Sequence, residues 1–569
     1  MATQPVGVSM DNYAIAENFS LLSKLMDIHG DNSFKARIYG AAAFNIEKLP
    51  EQLADTPPEK IASIRGIGES TAKKIAEMLE TGKLGILQEY LAKTPPGVIE
   101  MLNIKGIGPK KIQAIWKEMG IESVGELLYA CNENRLTLYK GFGEKTQTNV
   151  QEAIQFYQSQ QGHFLYAEAE AIFPQIDGYL KKLFSPERVH VTGAYRRQSL
   201  TIEEMEFVVL ENNDVIKPKF QTAQPPELLE EKENTLLYKL KNGLKLRLHT
   251  GKGKMDERLF CTTCSEEFLT AFNNTFSTIK YTGNEIGDDS VFTQANIPVI
   301  PAFMRETASV IEKARKKQLR TLIQPDDIRA IIHSHSKWSD GDNTLEQMAE
   351  ECIKRGYEYL VISDHSKAAA YANGLTEERI REQHRQIDIL NEQYKPFKIF
   401  RSIECDILGD GSMDYSNNIL STFDLVIASV HSNLKMNEEK AMTRLMKAIE
   451  NPYTTILGHM TGRLLLSRNG YPVDHKRIID ACAANHVVIE LNAHPRRLDI
   501  DWRYIDYAID KGVLISIDPD AHSLSGYNDV KYGVLAAQKA GVSKEQNLSS
   551  FSLLEFEKFL EERKKKKKI

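Results

Sequence analysis

From residue 328 to about 560 the chain alternates short apolar runs with amphipathic stretches. The runs at 328–332, 359–363, 397–403, 425–430, 454–458 and 513–517 are β-branched or aromatic and have the length of buried strands. The stretches at 344–355, 438–449 and 475–485 repeat their apolar residues at helical spacing. Strands alternating with helices predict a parallel sheet, closed as a barrel. Upstream, residues 9–55 carry helical periodicity, interrupted at 33–40 by the basic, aromatic segment Ser33-Phe-Lys-Ala-Arg-Ile-Tyr-Gly40. Residues 155–305 predict a mixed α/β unit, with strands near 189–191 and 200–210. A charged stretch at 307–327, helical and then looped, predicts a linker. The expected fold is multidomain: helical, then α+β, then a distorted α/β barrel.

The chemistry follows from where the apolar runs stop. The first ends in His333-Ser-His335 and the next in Asp364-His365. Later runs lead to Glu404, His431, His459 and Asp520-Ala-His522. Active sites of parallel barrels lie at the C-terminal ends of their strands. On a strand, residues two apart point the same way, so His333 and His335 are expected to meet one ion. A pair of solvated loop histidines would explain one such run but not the whole series. The pattern over 325–560 resembles the polymerase-and-histidinol-phosphatase (PHP) family of metal-dependent phosphoesterases. That resemblance implies a distorted seven-stranded barrel and up to three divalent ions. It assigns His333, His335, Glu404 and Asp520 to a first ion and to catalysis. Glu404 would bridge to a second ion on His431 and His459, and Asp340, His365 and His522 would hold a third. Imidazole mixed with carboxylate suits Mn, Zn or Fe, and Mg less well. Lys367, Arg463, Arg496 and Arg497 stand near these residues in sequence and are candidates for phosphate contact or for pairing with barrel carboxylates.

A repeat organises the N-terminal third. Ile64-Arg-Gly66-Ile-Gly68 is followed by Lys73 and Lys74, and Ile104-Lys-Gly106-Ile-Gly108 by Lys110 and Lys111. Tyr139-Lys-Gly-Phe-Gly143 is a weaker third copy. This is the helix-hairpin-helix signature. Glycines allow a tight hairpin and let backbone N–H groups approach a phosphate, while the next helix presents its positive end. Such contacts read DNA backbone, not sequence. One copy alone is equally a capped helix turn; three make duplex DNA the expected partner.

The net charge of −6 does not advertise a nucleic-acid binder, so the local basic residues carry that argument. No apolar stretch is long enough to span a bilayer, and the N-terminus lacks a signal-peptide pattern. Six cysteines in 569 residues point to free thiols and a cytoplasmic setting, Cys261 and Cys264 included. The lysine-rich end at 561–569 is expected to be a solvated, disordered basic tail.

The helix-hairpin-helix order, the motif Gly193-Ala-Tyr-Arg196-Arg197 and the segment Val299-Ile-Pro-Ala-Phe-Met-Arg-Glu306 extend the resemblance to nearly the full length: the chain resembles family X DNA polymerases of the bacterial form with a C-terminal PHP domain. The implied divisions are 1–90 (lyase-like, helix-hairpin-helix), 91–154 (second helix-hairpin-helix region), 155–306 (nucleotidyltransferase-like palm and thumb), 307–327, 328–560 and 561–569. The palm departs from the family pattern. Ala194 replaces a serine, Glu204-Met-Glu206 replaces Asp-x-Asp, Arg247 stands where a third Asp belongs, and Thr262-Thr-Cys264 replaces Thr-Gly-Ser. A glutamate is one methylene longer than Asp, and magnesium's near-octahedral demand tolerates such a change poorly. An arginine at the third position puts a fixed cation where a ligand belongs. The polymerase site therefore reads as degenerate, with Glu204 and Glu206 paired to Arg196, Arg197 or Arg247. Lys74 matches the family lysine that attacks abasic sugars, or is a plain phosphate contact. The expected function is a monomeric DNA-repair nuclease: a 3′–5′ exonuclease on gapped, nicked or abasic duplex. Its rivals are an active gap-filling polymerase with a PHP proofreader and a non-catalytic DNA-binding scaffold.

Overall fold

Glycine-punctuated helices organise residues Met1–Gln161, which form one compact unit; Gly162–Ile569 form a second. The computed structural model describes residues 10–132, 136–159, 162–220, 225–280, 287–466 and 469–569; the extreme N-terminus lies outside them. In the first unit the helices Asn12–His29 and Ser33–Glu47 pack together. The basic, aromatic segment at 33–40 does not interrupt helical structure: Asn32 caps it by accepting from the N–H groups of Phe34 and Lys35. Ala36 and Tyr39 face the core while Phe34 and Ile38 stay outside. One apolar core runs from Ile15 to Ile154, across the expected divisions 1–90 and 91–154.

The three hairpins share one geometry. Gly66, Gly106 and Gly141 have φ of 88°, 87° and 92°, a region only glycine enters freely. In each, the next amide donates to the carbonyl three residues back: Ile67 to Ile64, Ile107 to Ile104, Phe142 to Tyr139. Gly68 and Gly108 then cap the helices Glu69–Thr81 and Pro109–Lys117. A Cβ added at Gly68, Gly106 or Gly108 would meet nothing within 4 Å, so these backbones are open to an approaching phosphate.

The second unit begins with the mixed sheet. Strands β1 (Phe164–Leu165) and β3 (Thr201–Ile202) pair with each other. The strands β2 (Val189–Thr192), β4 (Glu204–Val209), β5 (Glu227–Lys232), β6 (Thr235–Lys239) and β7 (Lys245–Thr250) form a sheet in the order β2-β4-β7-β6-β5. A helical cluster around Phe260, Phe272 and Phe292 follows, and its core reaches Ala314, into the stretch expected to be linker.

The barrel is built from β8 (Ala330–Ser334), β9 (Tyr359–Ile362), β10 (Lys398–Arg401), β11 (Glu404–Asp406), β12 (Val426–Ser429), β13 (Thr454–Leu457), β14 (Val488–Asn492) and β15 (Ile515–Asp518). All neighbours are parallel, in a three-stranded sheet β10-β9-β8 and a five-stranded sheet β11 to β15. Bridges Ser334–Ala521 and His365–Glu404 join the two sheets. Only Ser402 and Ile403 separate β10 from β11. Alternation decides the layers. Ile332, Val361, Phe400, Ile427, Ile456 and Val488 belong to an inner cluster, while Ile331, Leu360, Ile399 and Leu457 pack on the outer helices. Phe556 and Leu560 of the helix Leu553–Lys567 complete the inner cluster. That helix corrects the expected disordered tail. It runs on through the lysines because Arg563, 4% exposed, donates to the carbonyls of His486, Pro452 and Thr454.

The barrel and the mixed sheet lie within one unit. Lys539, 4% exposed on the barrel helix Val530–Lys539, donates to the carbonyls of Arg197 and Phe303 and to Glu306. Burial lowers its pKa to about 8 although Glu306 opposes the shift.

Candidate metal centre

Glu404 is fully buried at the first residue of β11. Nitrogens of five imidazoles face its carboxylate: His365 at 2.9 Å, His459 at 3.0 Å, His431 at 3.1 Å, His333 at 3.3 Å and His335 at 3.7 Å. Asp520 stands on the far side, its Oδ1 3.1 Å from His335 Nε2 and 3.4 Å from His333 Nε2. His333 and His335 do converge, but not by strand alternation. The β8–β9 register shifts between Ile331 and Ser334, and His333 takes a left-handed φ of 58°. Asp520 has φ of 52°; such conformations persist where surrounding structure enforces them and cluster at functional sites.

The sets that can converge on an ion are His333–His335–Asp520, His365–Glu404–His431 and His335–Asp340–His365–His522. They differ in detail from the sequence assignment. His335 joins the third group as well as the first, and His365 joins the second as well as the third. His459 reaches the centre through Glu404 Oε1. Three imidazoles are oriented from behind. His333 Nδ1 lies 2.9 Å from Glu490, His431 Nδ1 3.2 Å from Asp406, and His522 Nδ1 3.0 Å from the Asp520 carbonyl. Such rear partners fix the tautomer so that Nε2 points at the ion. His333 Nε2 and His335 Nδ1 are buried nitrogens with no hydrogen-bond partner, a condition that a ligated ion relieves.

The electrostatics say the same. Burial opposes charge on His333, but Glu490, Asp520 and Glu404 outweigh it and lift its pKa well above the ordinary value. His431 rises to about 10 against burial, held by Glu404 and Asp406. His522 rises to about 9 against burial, through Asp340 and Asp520. His335 falls to about 3 because it is buried beside His522 and His365. Glu404 lies well below the carboxylate range, the facing imidazoles overcoming its burial. Without metal, protons balance the buried anions; a divalent cation replaces them, so the donor set fits.

Of the four phosphate candidates, Arg497 alone reaches these residues, its Nε 3.6 Å from Asp520 Oδ2. Arg463 is engaged by Asp501 and by the carbonyls of Arg497 and Leu498 and is structural. Arg496 turns to Glu168 at 3.5 Å, and Lys367 is exposed over the Tyr415 ring. Sequence reasoning missed Glu490, Asp406 and Asn492, and gave no role to Asp364, which it placed at the end of an apolar run. Asn492 donates to both Glu490 and Asp520 at 3.1 Å. The signal was present in Val487-Val-Ile-Glu490-Leu-Asn492, an apolar run with an acid inside it, which is β14.

The mixed sheet carries no comparable cluster among the described residues. Glu204 and Glu206 lie on β4 and Arg247 on β7, with Glu206 and Arg247 as register partners. Arg247 clasps both oxygens of Glu204. Glu206 pairs with His249 at 2.8 Å, not with an arginine, and lies over Gly193, where a Cβ would fall 1.9 Å from its Oε1. Arg196 binds the buried Asp288, and Arg197 binds Glu306. Lys74 is half-buried, its Nζ 5.8 Å over the Tyr39 ring, and Lys73 is exposed.

Comparisons with known proteins agree with this layout. A helix-hairpin-helix domain model matches residues 10–84, a SAM-like helix-hairpin-helix tandem 98–155, and a PHP domain 332–494. The chain is 30% identical to the DNA polymerase/3′-5′ exonuclease PolX of Bacillus subtilis (strain 168), over 94% of this chain and 96% of that protein. The chain belongs to the family X DNA polymerases with helix-hairpin-helix and C-terminal PHP domains. A probable phosphatase of Thermoanaerobacter sp. (strain X514) is 24% identical over 39% of the chain and 90% of its own length. As a family X member, this chain is a DNA-binding enzyme whose PHP domain uses divalent metal. No helix among the described residues is long and apolar enough to cross a membrane.

Proposed function

We propose that the chain is a DNA-repair 3′–5′ exonuclease that hydrolyses phosphodiesters at the Glu404 centre, while its polymerase-like core transfers no nucleotides. The observation that carries this reading is a fully buried carboxylate faced by five imidazoles at the C-terminal mouth of a parallel barrel. Up to three ions, Mn, Zn or Fe rather than Mg, would be held by the histidines with Glu404, Asp340 and Asp520. Bound there, they would lower the pKa of water toward neutrality and offset charge on the reacting phosphate. Arg497, beside Asp520, holds a fixed cation where the phosphate enters. Glu490 and Asp406 keep His333 and His431 turned inward. The hairpin glycines with Lys73, Lys74, Lys110 and Lys111 grip gapped, nicked or abasic duplex. The monomeric chain acts in the cytoplasm, in keeping with six unpaired cysteines.

The deciding experiment compares 3′-end degradation and primer extension on gapped, nicked and abasic duplexes with Mn, Zn and Mg. Degradation without extension is expected; processive nucleotide incorporation would overturn the silent core. Glu206→Ala is expected to leave degradation at the wild-type rate, since Glu206 contacts His249 and Gly193 rather than the barrel centre. Template-directed synthesis that this substitution abolishes would sink the reading.

Lys110→Ala with Lys111→Ala should weaken binding to duplexes of any sequence. It should also flatten the slope of log K against log salt by about 1.8, two phosphate contacts at roughly 0.9 each. An unchanged slope in a fluorescence-anisotropy salt series would move the grip elsewhere.

A further inference from the structure

We propose that Asp364, which ligates no ion itself, positions the third metal group, His335–Asp340–His365–His522; this rests on the metal-dependent reading above. Asp364 follows β9 and is fully buried. Its carboxylate accepts four hydrogen bonds: from Ser336 N–H at 2.8 Å, Ser336 Oγ at 2.7 Å, Ser339 Oγ at 2.5 Å and Gln383 Nε2 at 2.6 Å. A carboxylate has about four lone-pair sites. All are taken, so none is left for a metal.

The identity of the donors gives the group its purpose. Ser336 directly follows His335 and Ser339 directly precedes Asp340. The loop between these two candidate ligands is therefore tied to one buried anion at both ends. The loop is also closed on itself: Ser339 and Gly341 donate to the Ser336 carbonyl, and a Cβ at Gly341 would fall 2.1 Å from the His335 carbonyl oxygen. Asp364 immediately precedes His365, and its own carbonyl accepts from Glu404 N–H at 3.0 Å. Gln383, 0% exposed on the helix Glu377–Gln393, closes the carboxylate from behind. One side chain thus sets the spacing of His335, Asp340 and His365. Asp340 gains most, because it stands more open than the other acids of the centre, its side chain 32% exposed.

Asp364→Asn keeps the shape but removes the charge and replaces one acceptor oxygen by a donor, so the two bonds to that oxygen must break or reverse. In the full-length protein it should weaken uptake of the third ion by roughly 10- to 100-fold, the scale on which outer partners act, and leave two ions per chain. Ser339→Ala is a milder second variant that removes both the tie to Asp364 and the 3.2 Å contact of Ser339 Oγ with Asp340, and should weaken the same ion. Metal content after dialysis against limiting Mn, and the visible spectrum of the Co(II)-substituted protein, read the third ion without relying on turnover; thermal melting reports the fold. The expected result is loss of one ion and one spectral component, with KM for a phosphodiester rising more than kcat falls. Three tightly held ions and an unaltered spectrum in both variants would overturn the proposal. So would a folded Asp364→Asn protein that loses all ions equally. If Asp364→Asn does not fold, Gln383→Leu, which removes one bond to Asp364 from the far helix, decides by the same criteria. A wild-type protein that takes up no third ion fails the metal reading itself, which the variants do not touch.

Discussion

Glu404→Gln is expected to lower phosphodiester hydrolysis by about three orders of magnitude or more while leaving the barrel folded. Glutamine has nearly the same shape, so the fully buried position still packs. It removes the one negative charge that five imidazoles share, and an amide cannot serve as an anionic bridge between ions. Residues that act as a unit fail together: in comparable constellations one deletion costs nearly as much as several. His335→Ala should be of similar size, because His335 belongs to two of the three ligand groups. The Glu404→Gln/His335→Ala double variant should then be little worse than either single one. Asp340→Ala should be milder, since Asp340 enters only the third group. The measurement is the rate of 3′-end degradation with Mn, alongside metal content and circular dichroism. A folded Glu404→Gln protein with wild-type rate would move the chemistry away from this centre.

The candidate site was legible because each metal-type residue sits where a local apolar pattern stops. Glu404, His431 and His459 follow their runs within a few residues, and parallel pairing brings those ends together. The partners behind them were not legible. Glu490 orients His333 from 157 residues away, and no local period announces that contact. His333 shows the limit from the other direction. Period-two reasoning expected His333 and His335 to meet; they do converge, but a register shift and a left-handed φ aim them. The same holds in the mixed sheet. Glutamates where the resemblance expects aspartates could be read from the sequence, whereas Glu206's choice of His249 depends on the β4–β7 diagonal. The lysine-rich end read as a tail because its charge is local. Arg563, which anchors it, bonds to carbonyls more than seventy residues distant.

Metal loading should depend steeply on pH, because the ligands hold protons that an ion must displace. In the metal-free centre His431 is lifted to about 10 and His522 to about 9, and His333 is raised as well. Below those values each ion that takes these imidazoles releases their protons, and each released proton changes the apparent affinity tenfold per pH unit. With one raised histidine in each ligand group, going from pH 6 to pH 8 should tighten each Mn by about 10²-fold. Calorimetry in buffers of different ionisation enthalpy reads the protons directly; affinity unchanged across that range would contradict the prediction. The linked effect on stability has a definite sign. These histidines have folded pKa values above the ordinary 6.5, so their contribution is fully present below that value and is lost as pH rises through about 9 to 10. Glu404 and Asp340 are shifted the opposite way, so theirs is present above the ordinary values of 4.5 and 3.8 and is lost on acidification. The metal-stripped protein should therefore melt at its highest temperature near pH 6.5, because the buried His335, held down to about 3, costs stability below that value, and lose stability above it. The Mn-loaded protein should keep its stability through pH 8, because the ions now balance Glu404 and Asp520. Melting curves for the two forms that fall together above pH 6.5 would show that protons, not ions, compensate these carboxylates in both.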